Sequence, residues 1–512
     1  MIKVIIAEDK PPILRSIKSK LEAIDPELKI VGVAGDGEEA LMLTKELKPD
    51  IIFTDIRMPV MDGLQLITEA KKVNDGIFFV IISGYDEFEY ARKAMKLGVS
   101  EYLLKPVTKD TLTDTVSRIL SDLRQKKHHY EKELIADMIS SSKINKQMMD
   151  YDFECDCFCV ACVNIGPYSD FVISFTNPFN LVWSSVDLDS IVNEHLKNNG
   201  KYWIIDGRNL TEQVIVFARL GHAGTDYEYV SRLVFESLSS LNVPVNMIVG
   251  KKLHKFTDIE FEVQFLRALM RKNIVFGKSN MLVSGQVNVS NSNENNLLSP
   301  SLEKKLGAII LSNQKNLFLD ELKMLFASWE QNNYTQYAVE KFLKQIDWLF
   351  RKSLADKLTS GNDSELEIDE ILSMSENYNI LFANVVFIFG QYFYDSNNDG
   401  RISLKNTINK IESFIKAHYS EQISVNYIAD IFSLDVSYLS RAFKNHKGIS
   451  PIEFIVRLRM EKAKELLSGN PNLTIKDIAE AVGYNDQFYF SRIFKIITGV
   501  SPSIFKKSIH HT

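Results

Sequence analysis

Five short apolar runs, "KVIIA", "KIVGVA", "DIIFT", "FFVIIS" and "EYLLK", alternate with amphipathic stretches across the first 122 residues. The runs are rich in Val, Ile and Phe. The segments between them, such as "PPILRSIKSKLEAI" and "GEEALMLTKEL", carry apolar residues at helical spacing. Five βα units predict a doubly wound parallel sheet, in which ligands gather beyond the carboxyl ends of the strands. Polar residues stand at those ends. Glu8 and Asp9 follow the first run, Asp55 ends the third, Ser83 the fourth and Lys105 the fifth, with Pro106 behind it. A lone strand-end aspartate is most simply a cap for the next turn; convergence with the others changes its meaning. Three carboxylates drawn together repel, and each resists ionising. A hard divalent cation with oxygen ligands, Mg²⁺ by preference, relieves that conflict, and Lys105 adds a further positive charge. Such a constellation can hold a phosphoryl group on one carboxylate while cations neutralise its oxygens.

The pair Glu8-Asp9, Asp55 followed by "IRMPVMDG", Ser83-Gly84 and "YLLKP" with Lys105 resemble a response-regulator receiver domain, flavodoxin-like in fold, over residues 1–122. The resemblance implies that Asp55 accepts a phosphoryl group from a sensor histidine kinase. Asp9 and Asp55 would bind Mg²⁺ with the backbone carbonyl of Arg57, and Glu8 would assist through water. Ser83 would hydrogen-bond the phosphoryl oxygens, and Tyr102 would be the aromatic that turns inward on activation. Lys105-Pro106 would be a cis peptide.

At 512 residues the chain has length for three or more domains. Its 45% hydrophobic and 25% charged content is that of a globular protein, and its net charge of −6 excludes a polycation. Charge is uneven: 17 Lys/Arg against 21 Asp/Glu in residues 1–122, but 15 against 10 in 405–512. Nucleic acid, if bound, is therefore expected at the tail. "MIKVIIAEDK" is no signal peptide and no stretch reaches membrane-span length, so a cytoplasmic protein without a membrane partner is expected. All four cysteines lie in "CDCFCVAC", 155–162. On a strand, Cys155, Cys157 and Cys159 share one face and Cys162 takes the other; no second cysteine or Cys/His pair lies elsewhere to complete a thiolate metal site, so buried thiols are the simpler reading.

Leu112, Val116, Ile119 and Leu123 repeat at heptad spacing in a stretch, 109–139, with no helix breaker. The simplest reading is the last receiver helix packed on its own sheet; the favoured one is a helix that starts there and runs on as a connector over 123–150, with the pairing of two chains as a further option. Residues 151–290 read as a second α/β unit, with "KYWIID" and "EQVIVFARL" as a hairpin. This order resembles a degenerate diguanylate-cyclase-like domain. The hairpin "DGRNLTEQ" lacks that family's GGDEF signature and paired acids, so no cyclase activity is expected. "NVSNSNENNLLSPS" reads as a linker, and 300–395 as helices, with Phe326, Trp329, Trp348 and Phe350 as their aromatic core. "DSNNDGRISLKN", 395–406, resembles an EF-hand loop, but Asn406 stands where a bidentate glutamate is needed, so a polar hinge is the simpler reading.

The tail contains a repeat. "YLSRAFKNHKGISPIEF" at 438 recurs as "YFSRIFKIITGVSPSIF" at 489, each preceded by a segment centred on Ile-Ala. Each copy reads as two helices joined by a turn, which predicts a double helix-turn-helix in an all-α domain over 405–509. Leu439 and Phe443, or Phe490 and Phe494, would face the core, leaving a polar and basic face for the major groove. These residues, with the linking "RLRMEKAKELL", resemble the AraC-type DNA-binding domain. The resemblance implies base contacts from Ser437, Ser440 and Arg441 in the first unit and from Asn485, Gln487, Tyr489 and Arg492 in the second. Lys444, Lys447 and Lys495 are candidates for the phosphate backbone.

The layout resembles the YesN-type two-component regulators: multidomain, with no enzymatic activity. It implies a cognate histidine kinase, a double-stranded DNA operator, a homodimer when phosphorylated, and RNA polymerase as a further candidate partner. The alternative is a transcription factor governed mainly by a ligand or partner at the middle domain.

Overall fold

In the computed structural model, β1 (Ile2–Ala7), β2 (Leu28–Ala34), β3 (Ile51–Thr54), β4 (Phe78–Ser83) and β5 (Glu101–Leu104) form a parallel sheet in the order β2-β1-β3-β4-β5. The structure describes residues 2–84, 88–141, 151–168, 179, 182–197, 200–219, 226–286, 298–353, 364–390, 392–393, 401–421, 423, 425–432, 434, 436–470 and 473–510. Alternate strand residues serve opposite faces. Val4, Ile6 and Phe53 meet Ile17 and Leu21 of α1 (Pro11–Glu22) and Leu112 and Val116 of α5 (Lys109–Ser141). Ile5, Ile52 and Ile81 meet α2 (Gly37–Leu47), α3 (Gly63–Val73) and α4 (Phe88–Lys96) through Ala40, Leu66, Ile67 and Ala94. Both sides of β3 are closed, which is why its residues read as an unbroken apolar run.

α5 runs unbroken for 33 residues. Leu112, Val116, Ile119 and Leu123 are taken up by the core of their own sheet, so that seam is not left for a second chain. Tyr130 is exposed. Further along, Leu134, Ile135, Met138 and Ile139 belong to the next core. The chain divides into two compact units, Met1–Glu131 and Lys132–Thr512.

The second unit holds a mixed sheet, β10-β9-β6-β8-β7, of β6 (Cys157–Ile165), β7 (Lys201–Asp206), β8 (Glu212–Arg219), β9 (Val245–Val249) and β10 (Asn280–Val283). β7 and β8 form the expected hairpin, with Asp206 opposite Gln213. One face is covered by α6 (Val182–Ser185), α7 (Leu188–Leu196) and α8 (Tyr227–Leu238), the other by α9 (Ile259–Asn273). Cys159 and Cys162 lie on opposite faces of β6 and cannot converge on one ion. Burial, the largest influence, pushes the Cys159 thiol up to about 12, which keeps it protonated at neutral pH.

Helices α10 (Pro300–Leu311), α11 (Lys315–Gln331), α12 (Gln336–Ser353), α13 (Ser364–Met374) and α14 (Tyr378–Gly390) pack around Phe318, Phe326, Trp329, Phe350 and Phe389. Trp348, expected in that core, is instead 51% exposed, with Lys352 Nζ 4.5 Å from its ring centre. It stands between Asp347 and Leu349 on α12, one residue off the apolar stripe. Gln336 ties this bundle to the sheet domain: its amide exchanges hydrogen bonds of 2.9 and 2.6 Å with the backbone of Tyr168. Asp395, Asn397, Asp399 and Gly400 of the EF-hand-like stretch lie outside the described residues, and Ile402, Ser403 and Asn406 already belong to α15 (Arg401–His418).

The tail folds as α16 (Val425–Ile431), α17 (Val436–Lys447), α18 (Pro451–Gly469), α19 (Ile475–Ala481), α20 (Gln487–Thr498) and α21 (Pro502–His510). Leu439 and Phe443 of α17, and Phe490 and Phe494 of α20, are fully buried, as their spacing of four requires.

Candidate functional site

The edge of the first sheet collects Glu8, Asp9, Asp55, Ser83 and Lys105 because β1, β3, β4 and β5 are neighbours and parallel. The gap between β1 and β3 is the point where strand order reverses, the usual ligand position in such sheets. Ligand oxygens of Glu8, Asp9 and Asp55 all lie within 4.8 Å of one another. Lys105 Nζ donates to Glu8 Oε2 and to Asp55 Oδ2, both at 2.6 Å. Asp55 Oδ1 accepts from the Ile56 amide at 2.6 Å. Glu8 and Asp55 are buried, Asp9 is exposed, and Ser83 is wholly enclosed at the end of β4.

Burial is the largest influence on Glu8 and raises its pKa, although Lys105 opposes the shift. Burial also works against the Lys105 charge, but its hydrogen bonds to Asp55 and Glu8 prevail and hold its pKa above the ordinary lysine value. The Lys105 ammonium is thus shared by two carboxylates, Asp9 adds a third beside them, and Glu8 Oε1 is buried without a hydrogen-bond partner among the described residues. That orphaned oxygen, in an all-oxygen donor set open on the Asp9 side, fits a hard divalent cation.

The turn behind Asp55 is shaped by contact. A Cβ on Gly63 would fall 2.1 Å from the Asp55 carbonyl oxygen, so only glycine lets the chain pass there. Asp62 caps α3 in a capping box with Gln65. Val60 takes φ +64°, a rare conformation for a β-branched residue. Lys105-Pro106 is cis. Tyr102 is half-buried against the α4 side of the sheet, and Arg57 is exposed beside the ring of Tyr90, 5.6 Å from its centre.

In the tail, the side chains of Ser437 and Arg441 lie outside the described residues; Ser440 and Lys444 are half-buried on α17. Lys447 pairs with Glu412 of α15 and donates to Asn409 at 3.3 Å. Asn485 and Lys495 are exposed, and Gln487 is half-exposed at the start of α20. Tyr489 packs inward, its ring 5.9 Å from that of Tyr484, and burial pushes its hydroxyl up to about 12. Arg492 turns from solvent toward the β7–β8 hairpin.

Two residues escaped the sequence reading. Phe488 opens α20 at 84% exposure, and an aromatic beside a basic helix face was its only signal. Arg459 of α18 is buried; it donates to the carbonyls of Tyr419 and Glu421, each at 2.7 Å, and lies 5.0 Å from the Tyr484 ring centre. It fastens both helix-turn-helix units to the linking helix. Gly483, at φ +91°, gives it room, because a Cβ there would meet the guanidinium at 2.9 Å.

Residues 4–117 match the family described as response regulator receiver domain, and residues 428–508 a family described as helix-turn-helix domain. Neither is a family of enzymes. The chain is 36% identical over 132 residues to the uncharacterised transcriptional regulatory protein YesN of Bacillus subtilis, covering 26% of this chain and 36% of that protein. It is 33% identical over 151 residues to the Msm operon regulatory protein of Streptococcus mutans, covering 30% of this chain and 52% of the relative. An uncharacterised response regulatory protein of Staphylococcus epidermidis is 35% identical over 128 residues, 25% of this chain and 50% of that one. The matches thus span about a third to a half of the relatives' own length. The chain therefore joins a response-regulator receiver domain to an AraC-type helix-turn-helix domain. Among the described residues no helix is long and apolar enough to cross a membrane.

Proposed function

We propose that this chain is a phosphorylation-dependent, DNA-binding transcriptional regulator, the cytoplasmic output half of a two-component pair. The observation that carries the reading is the cluster of buried Glu8 and Asp55 with exposed Asp9 and with Lys105, in a chain that also holds a helix-turn-helix domain. Residues 1–122 act as the receiver, 123–150 as connector, 151–290 and 300–395 as the middle region, and 405–509 as the DNA reader.

An oxygen of Asp55 attacks the phosphorus; the P–N bond to the kinase histidine breaks and a P–O bond to Asp55 forms. Glu8, Asp9, Asp55 and the Arg57 carbonyl would hold Mg²⁺, which when bound neutralises charge on the phosphoryl oxygens. Lys105 and Ser83 supply the remaining donors. Lys105 is released from Asp55 as the new group draws it, and Ser83 and Tyr102 bias the switch. Phosphorylated chains then pair, summing two half-site affinities on one operator. Ser437, Ser440, Arg441, Asn485, Gln487, Tyr489 and Arg492 read bases, and Lys444, Lys447 and Lys495 hold phosphates.

Asp55→Asn is expected to abolish labelling by a small phosphodonor; retained labelling refutes the acceptor. DNA selection from a random pool, with Mg²⁺ and with or without acetyl phosphate, is expected to enrich an operator only with the donor. Equal enrichment transfers control to the middle region.

A further inference from the structure

The turn between β7 and β8 reaches the tail domain. Arg492 of α20, assigned above to base reading, has a side chain only 18% exposed. Its Nη2 donates to the carbonyl oxygens of Asn209 at 3.1 Å and Glu212 at 3.3 Å, and its Nη1 lies 3.6 Å from Asp206 Oδ1. Leu210, at the tip of the turn, is 5% exposed and sits in the apolar cluster of Val456, Met460, Tyr484, Phe490 and Phe494. Burial disfavours the Arg492 charge, so the guanidinium depends on these acceptors.

The turn is braced to present them. Arg267 grips Glu212 with two hydrogen bonds of 2.8 Å, and the Arg208 amide donates to the same carboxylate at 2.7 Å. Thr211 Oγ1 lies 2.9 Å from Asn209 Oδ1 and 2.9 Å from Asn164 Oδ1. Gly207 must be glycine, because a Cβ would fall 2.4 Å from the Glu212 side chain.

We infer that the β7–β8 hairpin is a built-in competitor of DNA for the second reading helix, holding Arg492 through Asp206, Asn209 and Glu212 while Leu210 anchors the turn. Two carbonyl oxygens and a carboxylate give the guanidinium the kind of acceptors that the O6 and N7 of guanine would give it. Sterics point the same way. The major groove is about 12 Å wide and a helix with side chains is about 10–12 Å across, so a seated helix leaves no room for a hairpin on its flank. Phe488 and Lys495 remain exposed, so DNA has a foothold from which to displace the turn. The middle region thereby acquires a task, restraint of one DNA-reading unit. This inference rests on the DNA-reading proposal above and adds what holds that reader back.

The test uses the full-length, unphosphorylated chain and the operator obtained by selection. Leu210→Asp is expected to tighten operator binding by about tenfold or more, the worth of one buried leucine. Asp206→Ala is expected to act in the same direction, more weakly. Arg492→Ala, added to Leu210→Asp, is expected to weaken binding again. Unchanged affinity in both hairpin variants, with Arg492→Ala still weakening binding, overturns the competitor and leaves the DNA reader standing. No operator, and no effect of Arg492→Ala, refutes the reader itself. Hydrogen exchange on the unmutated chain is independent of variant folding. Amides at Gly207–Glu212 are expected to exchange faster once operator is added; unchanged or slower exchange overturns the competitor.

Discussion

The receiver pocket and the middle-domain hairpin each bury a glutamate against a cation, Lys105 in the first and Arg267 in the second. Around Glu212 the accounts close. Oε1 and Oε2 each take a guanidinium hydrogen bond of 2.8 Å, and Oε2 also takes the Arg208 amide. Around Glu8 they do not. One ammonium is shared between Glu8 and Asp55, Asp9 adds a third carboxylate, and Glu8 Oε1 has no partner among the described residues. A planar guanidinium matched to one carboxylate makes a brace. A point charge set among too many acids leaves capacity for something still to arrive. Burial and short distances are common to both clusters, so neither identifies a functional site; the surplus of unsatisfied oxygen does.

The largest expected effect tests the brace. Arg267→Ala leaves Glu212 buried and unpaired, which is expected to cost about 3–5 kcal/mol in chemical denaturation of the second unit. A loss below about 1 kcal/mol would mean that the hairpin is held by its backbone, and the contrast between the clusters would weaken. Mg²⁺ gives the next effect, in the other cluster. At a hundredfold excess over its dissociation constant it is expected to stabilise the receiver by about 2.7 kcal/mol, and the second unit not at all. Equal stabilisation of both would mark nonspecific salt; Asp9→Asn is expected to remove the receiver's share.

The alternation of apolar runs and amphipathic stretches made the first sheet readable, because β3 and β4 are buried on both faces and their residues have no other reading. Glu8, Asp9 and Asp55 could be brought together on paper, since parallel strands put their carboxyl ends on one edge. The tail was readable from its repeat. Other features had no local signal. The heptad spacing of Leu112 to Leu123 is the same for a helix lying on its own sheet as for a paired coil, and packing chose the sheet. Trp348 looked like core because its neighbours are core; one residue of helical phase decides otherwise. Arg492 and Asn209 meet across 283 positions of sequence, and no periodicity in either segment announces a partner.

The smallest effect is the sharpest test of the surplus. Burial raises the Glu8 pKa above its ordinary 4.5, so the folded chain holds this proton more tightly than the unfolded chain does. Stability from this group is therefore fully present below pH 4.5 and is lost as pH rises through the folded value. One titrating group limits the slope to about 1.4 kcal/mol per pH unit. Glu8→Gln removes the titration. Without Mg²⁺, the stability difference between variant and unmutated receiver is expected to grow in the variant's favour as pH rises from about 4.5, and then to level off. A difference of opposite sign at Glu8 would mean that Lys105 outweighs burial. The receiver cluster would then be a second brace, and its need for a cation would lose its physical basis.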